Sequence, residues 1–127
     1  MDTEIHFLNV DLEIESSENL QLLVDDLGED VLVLFNGKWK NGFNFLAIET
    51  YPDANVDEKI SLFCTLIENL SPEAKLIWDN AYSKKFDAGF ECGEFPNSYQ
   101  TEIRADTIKR VAELGASIVV TIYPRRD

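Results

Sequence analysis

Three features of this 127-residue sequence predict a two-layer α+β sandwich, in which helices pack on one face of a mixed, mostly antiparallel sheet. Segments of alternating apolar and polar residues, typical of half-buried strands, are interleaved with segments of helical periodicity. Strand-like segments joined by a tight turn indicate antiparallel hairpins, whereas strand–helix–strand units indicate parallel crossovers. With 45% hydrophobic and 28% charged residues, the composition is that of a single folded domain, spanning residues 1–127.

The first strand and the first helix are predicted from two successive periodicities. The strand is marked by apolar residues that alternate with polar ones, namely Leu8, Val10, Leu12 and Ile14. Ser16 and Ser17 can cap the helix that follows, and Gly28 is a typical C-terminal stop. We therefore expect a helix over about residues 18–27.

A hairpin is predicted next. Val31–Phe35 is apolar on both faces, which indicates a central strand of the sheet. The following NGKWKNG segment carries an Asn-Gly pair at each end, which is typical of a turn, and Phe43–Tyr51 then forms the third strand.

The middle of the chain predicts two consecutive helices and a fourth strand. Asn55 and Glu58 have the spacing of a capping box and begin a long helix. Ser71-Pro72 is an N-cap followed by a first-turn proline, so a second helix starts there and runs to about Ser83. Phe86–Cys92 alternates again and predicts the fourth strand.

The C-terminal third predicts a strand, a helix and a final strand. A turn at Gly93–Asn97 leads to a fifth strand over Tyr99–Ile103. The helix that follows ends at Gly115, and Ser117–Tyr123 forms the last strand. This order repeats that of the N-terminal part, which is compatible with a diverged internal strand–helix–strand repeat and with convergence on a common pattern.

The same C-terminal stretch, FDAGFECGEFPNSYQTEIRADTIKRVAELGASIVVTIYP, resembles the bacterial family known as domain of unknown function 4279. The matching features are the helix end Lys109–Gly115 and the strand that ends at Tyr123, whereas Arg104-Ala105 stands where the family has Ser-Pro. The resemblance implies a fold and no activity, because the family has no agreed catalytic residues. Some of its members look like neighbours of bacterial toxin systems, so an immunity-like role is compatible with the resemblance but is not implied by it.

Charge is the strongest indication of the kind of partner. The chain has 24 acidic and 11 basic residues, a net charge of −13, which argues against binding to nucleic acid. Residues 1–37 contain ten acidic residues and no Lys or Arg. This asymmetry predicts that the N-terminal part docks a basic protein partner.

The predicted partner-binding residues lie in three groups. They are Asp11, Glu13 and Glu15 on the first strand, Asp25, Asp26, Glu29 and Asp30 at the end of the first helix, and Trp39 in the hairpin loop. The acidic residues at the helix end oppose the helix macrodipole, so their selection for stability is not expected. Trp39 is predicted either to be an exposed interface anchor or to be covered by its own loop.

The sequence contains no signature of a membrane, secreted or metal-binding protein. No apolar run approaches the ~20 residues of a membrane-spanning helix, and the N-terminus lacks the basic region of a signal peptide. Cys64 and Cys92 have neither disulfide nor zinc spacing, and both fall on apolar faces. We therefore predict a cytoplasmic protein without a bound metal or cofactor.

Catalytic motifs are also missing from the sequence, so a non-enzymatic binding module is favoured over an enzyme. His6 is the only histidine, and no nucleotide-binding, hydrolase or metalloprotease motif occurs. The alternative is a small-molecule-binding domain or a small enzyme with a pocket near Trp78, Tyr82, Glu91 and Cys92. A homodimer through the uncovered sheet face is a third interpretation.

Overall fold

The computed structural model describes residues 5–93 and 98–125, which form one open five-stranded sheet packed against helices. The strands are β1 (His6–Ser16), β2 (Val31–Lys38), β3 (Asn44–Thr50), β4 (Ser83–Glu91) and β5 (Ser117–Tyr123), in the spatial order β2-β3-β1-β4-β5. β1 is antiparallel to β3 and β4, and β2 is antiparallel to β3, whereas β4 and β5 are parallel. The predicted mixed, mostly antiparallel α+β architecture is therefore confirmed.

The described residues form four α-helices beside the sheet, and several helix ends follow local sequence signals. The helices are α1 (Gln21–Leu27), α2 (Val56–Glu68), α3 (Pro72–Asn80) and α4 (Ala105–Glu113). Asn55 and Glu58 form the predicted capping box of α2, and the Ser71 hydroxyl accepts a hydrogen bond from the N–H of Ala74 at the start of α3. Gly28 and Gly115 follow α1 and α4 with φ of 66° and 73°, a region that favours glycine.

The alternation of β1 divides the sheet into a covered face and an open face. Val10, Leu12 and Ile14 are fully buried beneath the helices, together with Phe63 of α2 and Trp78 of α3. The intervening side chains of β1 are only half-buried and point to the opposite side. We call that side the open face, since the helices pack on the other one. None of the helices formed by the described residues is long and apolar enough to cross a membrane.

The prediction that Val31–Phe35 is a central strand is wrong. β2 lies at the edge of the sheet, and its side chains Leu32 and Leu34 are exposed. The hairpin partner β3 pairs with both β2 and β1, so β3 takes the inner position. β1 and β2 still run in the same direction, as expected for a strand–helix–strand unit, but β3 lies between them.

The predicted fifth strand at Tyr99–Ile103 is also wrong, because this segment has no regular secondary structure. Both edges of β4 are already paired, one with β1 and the other with β5, so no edge of β4 remains for it. Tyr99 instead packs on Phe90, with 5.7 Å between the ring centroids. The predicted internal repeat therefore lacks the first strand of its second copy. Of the predicted turn Gly93–Asn97, residues 94–97 lie outside the described residues.

The first helix begins later than predicted. Ser16 is the last residue of β1, and α1 starts at Gln21, whose N–H donates to the Asn19 side chain over 2.8 Å. The Ser16 hydroxyl accepts a hydrogen bond from the Glu18 N–H and so stabilises the connection that precedes the helix. The extra length of β1 follows from its pairing with β3 and β4 on both sides.

Candidate functional site

The open face carries a continuous stripe of acidic side chains. Antiparallel pairing puts Asp11 opposite Asp87 and Glu13 opposite Lys85. Directly paired residues point to the same side of a sheet, so these side chains share the open face. Among the described strand residues, this face has Asp11, Glu13, Glu15, Glu49, Asp87 and Glu91 as acidic residues, with Lys85 and His6 as basic ones. We call these six carboxylates the acidic stripe.

The carboxylates at the centre of the acidic stripe disturb one another's ionisation. Partial burial raises the pKa of Asp11 to about 7, with further contributions from a hydrogen bond to Glu49 and from the negative charges of Glu49, Glu13 and Asp87. The pKa of Glu13 is also raised, first by burial and then by Asp87, although Lys85 acts in the opposite direction. Near neutral pH, Asp11 therefore carries a proton for part of the time.

A small cavity opens beside Asp11 at the centre of the open face. It has a volume of about 240 Å³ and is lined by Leu8, Asn9, Asp11, Glu49, Asp87, Gly89 and Tyr123. The Thr121 hydroxyl donates a 2.7 Å hydrogen bond to Asp87, which orients that carboxylate. Since Gly89 has no side chain, the floor of the cavity stays open between Asn9 and the Tyr123 ring. The cavity thus combines three carboxylates with one aromatic wall.

An aromatic cluster formed by Phe35, Trp39 and Phe45 adjoins the acidic stripe on the same face. The centroid of the Trp39 ring lies 5.3 Å from that of Phe45 and 5.5 Å from that of Phe35, and the contact with Phe35 is edge-to-face. Phe45 is paired directly with Glu15, so the cluster continues the acidic stripe without a gap. Trp39 packs on its neighbours and is nevertheless 45% exposed, which combines features of both interpretations of this residue.

The hairpin loop holds Trp39 in this position through its backbone. The Trp39 N–H donates to the Phe43 carbonyl, and the Trp39 carbonyl accepts from the Gly42 N–H, both over 2.9 Å. Gly42 has φ of 86°, a conformation that an L-residue rarely adopts. The predicted turn chemistry of the second pair, Asn41-Gly42, therefore positions the indole on the open face, whereas the first pair, Asn36-Gly37, lies within β2 and not in the turn.

The second group of predicted docking residues lies elsewhere, at the end of α1. Asp25 accepts a 2.8 Å hydrogen bond from the Gln21 side chain, and Asp26 accepts one of the same length from the Ser71 N–H that precedes α3. Glu29 and Asp30 are exposed in the 3-10 turn Gly28–Asp30 that follows α1. The structure brings Asp11, Glu13, Glu15 and Trp39 to one face and leaves these four residues in the helical layer.

The four residues of the alternative pocket lie in separate parts of the fold, in the core and at the two ends of β4. Trp78 is completely buried, and its indole N–H donates to the Leu114 carbonyl over 2.9 Å. Tyr82 precedes β4 and donates to Glu15, whereas Glu91 and Cys92 lie at the other end of the same strand. A nine-residue strand separates its ends by about 30 Å, so the four residues do not line one cavity.

The cysteines differ in their surroundings. Cys64 is buried in the core, and burial raises the pKa of its thiol to about 11, so this thiol is not reactive at neutral pH. Cys92 is only partly buried at the end of β4. Within the described part of the chain, no three His, Cys, Asp or Glu side chains are arranged to hold a metal ion.

Sequence reasoning missed four residues of the site, namely Glu49, Asp87, Phe35 and Phe45. The sequence did contain a signal for two of them. Phe45 and Glu49 are four positions apart on the predicted strand Phe43–Tyr51, so their side chains lie on the same face of that strand. The side on which they lie relative to Asp11 depends on the pairing of β1 with β3 and β4, which no local pattern contains.

Compared with protein-family models, curated proteins and solved structures, the chain matches none of them. We therefore start from the chemistry of the open face to infer its function.

Proposed function

We propose that this protein is a non-enzymatic binding module that docks a basic segment of a partner protein on its open face. The observation that carries the proposal is the continuity of the acidic stripe with the aromatic cluster Phe35, Trp39 and Phe45 on a sheet face left open by the helices. An immunity-like or adaptor role is compatible with such docking and with the resemblance of the C-terminal stretch to domain of unknown function 4279.

Charge complementarity favours a basic partner. Six carboxylates share the face with Lys85 and His6, so the face remains strongly negative and attracts Lys and Arg side chains. Carboxylates paired with guanidinium or ammonium groups form short, charge-assisted hydrogen bonds. A partner that provides these cations also relieves the mutual repulsion that, after burial, contributes to the raised pKa of Asp11 and Glu13.

The extent of the acidic stripe favours a protein segment over a small cation. It follows the whole nine-residue length of β4, about 30 Å, from the Glu91 end to the Tyr82–Glu15 contact. Several basic side chains spaced along one segment match this length, with one of them in the 240 Å³ cavity beside Asp11 and Tyr123. Trp39 at the end of the stripe provides apolar contact area, as aromatic residues do in interfaces.

Docking on this face is coupled to pH. Because Asp11 has a pKa of about 7, a cation that binds beside it displaces the proton that it holds in the free protein. Affinity for a basic segment therefore rises between pH 6 and pH 8. Isothermal titration calorimetry in two buffers of different ionisation enthalpy measures the released proton directly. An affinity that stays flat over this pH range contradicts the role of Asp11.

The test uses a peptide of eight lysines as the probe and calorimetric titration at low and physiological salt. The open-face variant combines Glu13→Gln with Asp87→Asn, and the matched control combines Glu29→Gln with Asp30→Asn at the end of α1. Both variants remove two negative charges, so they change the net charge of −13 equally. We expect the open-face variant to lose at least ~10-fold in affinity, about 1.4 kcal/mol, and the control to lose much less.

Equal losses in the two variants would show that the peptide responds only to net charge, and would overturn the proposal. A second measurement follows Trp39 fluorescence, which should become protected from acrylamide when the peptide binds. Trp39→Ala should weaken binding without a change in its salt dependence, because the indole contributes contact area and no charge.

A further inference from the structure

We propose that the free edge of β5 is a dimerisation site, at which β5 pairs in antiparallel fashion with β5 of a second copy of this chain. β5 and the aromatic cluster lie at opposite edges of the sheet. The proposed dimerisation site is therefore independent of docking on the open face. Pairing about a two-fold axis near Val120 would join the two sheets into one.

The hydrogen-bonding pattern of β5 leaves half of its backbone groups directed outward. β5 runs parallel to β4 in unbroken register from Ser117 to Tyr123, and the Tyr123 carbonyl accepts a 3.0 Å hydrogen bond from the Cys92 N–H on the β4 side. Backbone groups alternate along a strand, so the N–H and C=O of Ile118, Val120 and Ile122 point away from β4. These three residues form a template for another strand.

The side chains of this edge lack the usual protection. β5 has the sequence SIVVTIY and contains no charged residue, in a chain in which 28% of residues are charged. Val120 and Ile122 are 58% and 56% exposed. Edge strands in monomers are commonly interrupted by bulges, charges or proline. The other edge strand, β2, has such a bulge between Val33 and Phe35, whereas β5 has none.

A groove beside this edge extends the apolar surface. Val120 and Ile122 line it together with Ala88, Phe90 and Ile103, and its volume is about 910 Å³. Ile118, Val120 and Ile122 lie on the same side of the sheet as the groove, since they pair with Phe86, Ala88 and Phe90. The corresponding side chains of a second copy would continue this surface and reduce its exposure to water.

The sequence of β5 is self-complementary, which identifies the occupant as a second copy. In antiparallel pairing centred on Val120, Ile118 faces Ile122, Val119 faces Thr121, and Ser117 faces Tyr123. Apolar and β-branched side chains thus meet their like, and the largest side chain meets the smallest. With a net charge of −13 on each copy, an uncharged strand is also where two copies can approach with least repulsion.

Sedimentation velocity at physiological salt tests the proposal. We expect the protein to sediment with about twice the 14.5 kDa of one chain at micromolar concentration. Val120→Lys adds a charge at the two-fold axis and should give a monomer with unchanged circular dichroism. Leu34→Lys is the matched control, because Leu34 is a similarly exposed aliphatic residue on the other edge strand, and it should remain a dimer.

A monomeric wild type, a dimeric Val120→Lys variant or a monomeric Leu34→Lys variant would each overturn the proposal. If Val120→Lys does not fold, a milder substitution decides. Two Val120 residues paired at the axis have Cα atoms about 5.5 Å apart, within disulfide range. Val120→Cys in a Cys92→Ser background should therefore form a covalent dimer on mild oxidation, and Leu34→Cys in the same background should not. The absence of this cross-link would equally overturn the proposal.

Discussion

At the residue scale, the carboxyl pair Asp11 and Glu49 shows how a sheet can hold acidic residues together. The two side chains come from adjacent strands β1 and β3, and the raised pKa of Asp11 lets this residue hold a proton that reduces their repulsion. Natural sheets usually avoid like charges on neighbouring strands, because such pairs are destabilising. The retention of these carboxylates is therefore consistent with selection for docking a cation.

Asp11→Asn should raise stability at pH 8 and have a smaller effect at pH 5. The pKa of Asp11 lies at about 7 in the folded protein and near 3.8 in the unfolded chain, so the folded state binds the proton more tightly. The stability that this proton contributes is lost as pH rises from about 4 through about 7. Asn keeps a hydrogen bond to Glu49 without adding a charge.

Urea unfolding of the wild type and the Asp11→Asn variant at the two pH values measures this difference. The control is Glu18→Gln, a substitution at an exposed residue after β1. It should change the free energy of unfolding by the same amount at both pH values. A variant that is less stable than the wild type at pH 8 would contradict the assigned pKa of Asp11.

At the scale of elements, two of the contacts within the helical layer differ in how much they contribute to stability. The Trp78 indole of α3 donates to the Leu114 carbonyl at the end of α4. Arg110 of α4 forms a two-pronged contact with Glu68 of α2, with N–O distances of 2.7 and 3.0 Å. The first contact is fully buried and the second is partly exposed, so the first contributes more to stability.

Trp78→Phe should destabilise the protein by about 2–4 kcal/mol. The substitution leaves a cavity in the core and leaves the Leu114 carbonyl without its donor. Thermal unfolding followed by circular dichroism measures the loss, with Leu76→Ala on the exposed side of α3 as the control. A loss below about 1 kcal/mol would show that the hydrogen bond and the packing of Trp78 are dispensable.

At the scale of the whole molecule, the charge distribution and the free sheet edges act together. The net charge of −13 opposes compaction, and the acidic stripe concentrates part of that charge on the open face. Dimerisation through β5 about a two-fold axis normal to the sheet would put both open faces on the same side. A basic partner with two docking segments would then bind both copies at once.

Salt should stabilise the protein. The Debye length falls from about 30 Å at 0.01 M to about 8 Å at 0.15 M, so added NaCl screens the repulsion among the carboxylates. We expect the melting temperature to rise by a few degrees over this range, equivalent to about 1 kcal/mol. Differential scanning calorimetry at constant protein concentration gives the shift. In the combined Glu13→Gln and Asp87→Asn variant, the melting temperature should rise less with salt than in the wild type. An equal rise would show that the repulsion arises outside the acidic stripe.

Local signals in the sequence determined several helix ends and several of the strands, although α1 begins later than predicted and α3 ends at Asn80 instead of near Ser83. The capping box of Asn55 and Glu58, the N-cap at Ser71 and the stops at Gly28 and Gly115 all act where they were predicted, because each depends on residues within one helical turn. The final strand Ser117–Tyr123 also has its predicted boundaries. Alternation alone correctly grouped Asp11, Glu13 and Glu15 on one face of β1.

Only the tertiary structure decided which strands are neighbours, and this decided the site. The apolar segment Val31–Phe35 has the composition of a central strand of a sheet. It nevertheless lies at an edge, because β3 is the strand that pairs with β1. Tyr99–Ile103 has strand-like alternation, but β4, the strand that precedes it, is already paired on both edges with β1 and β5. Glu49 and Asp87 lie beside Asp11 only because their strands pair with β1, although they are 38 and 76 positions away from Asp11 in the sequence. Such pairing depends on the competition of all strands for the same edges, which no local pattern encodes.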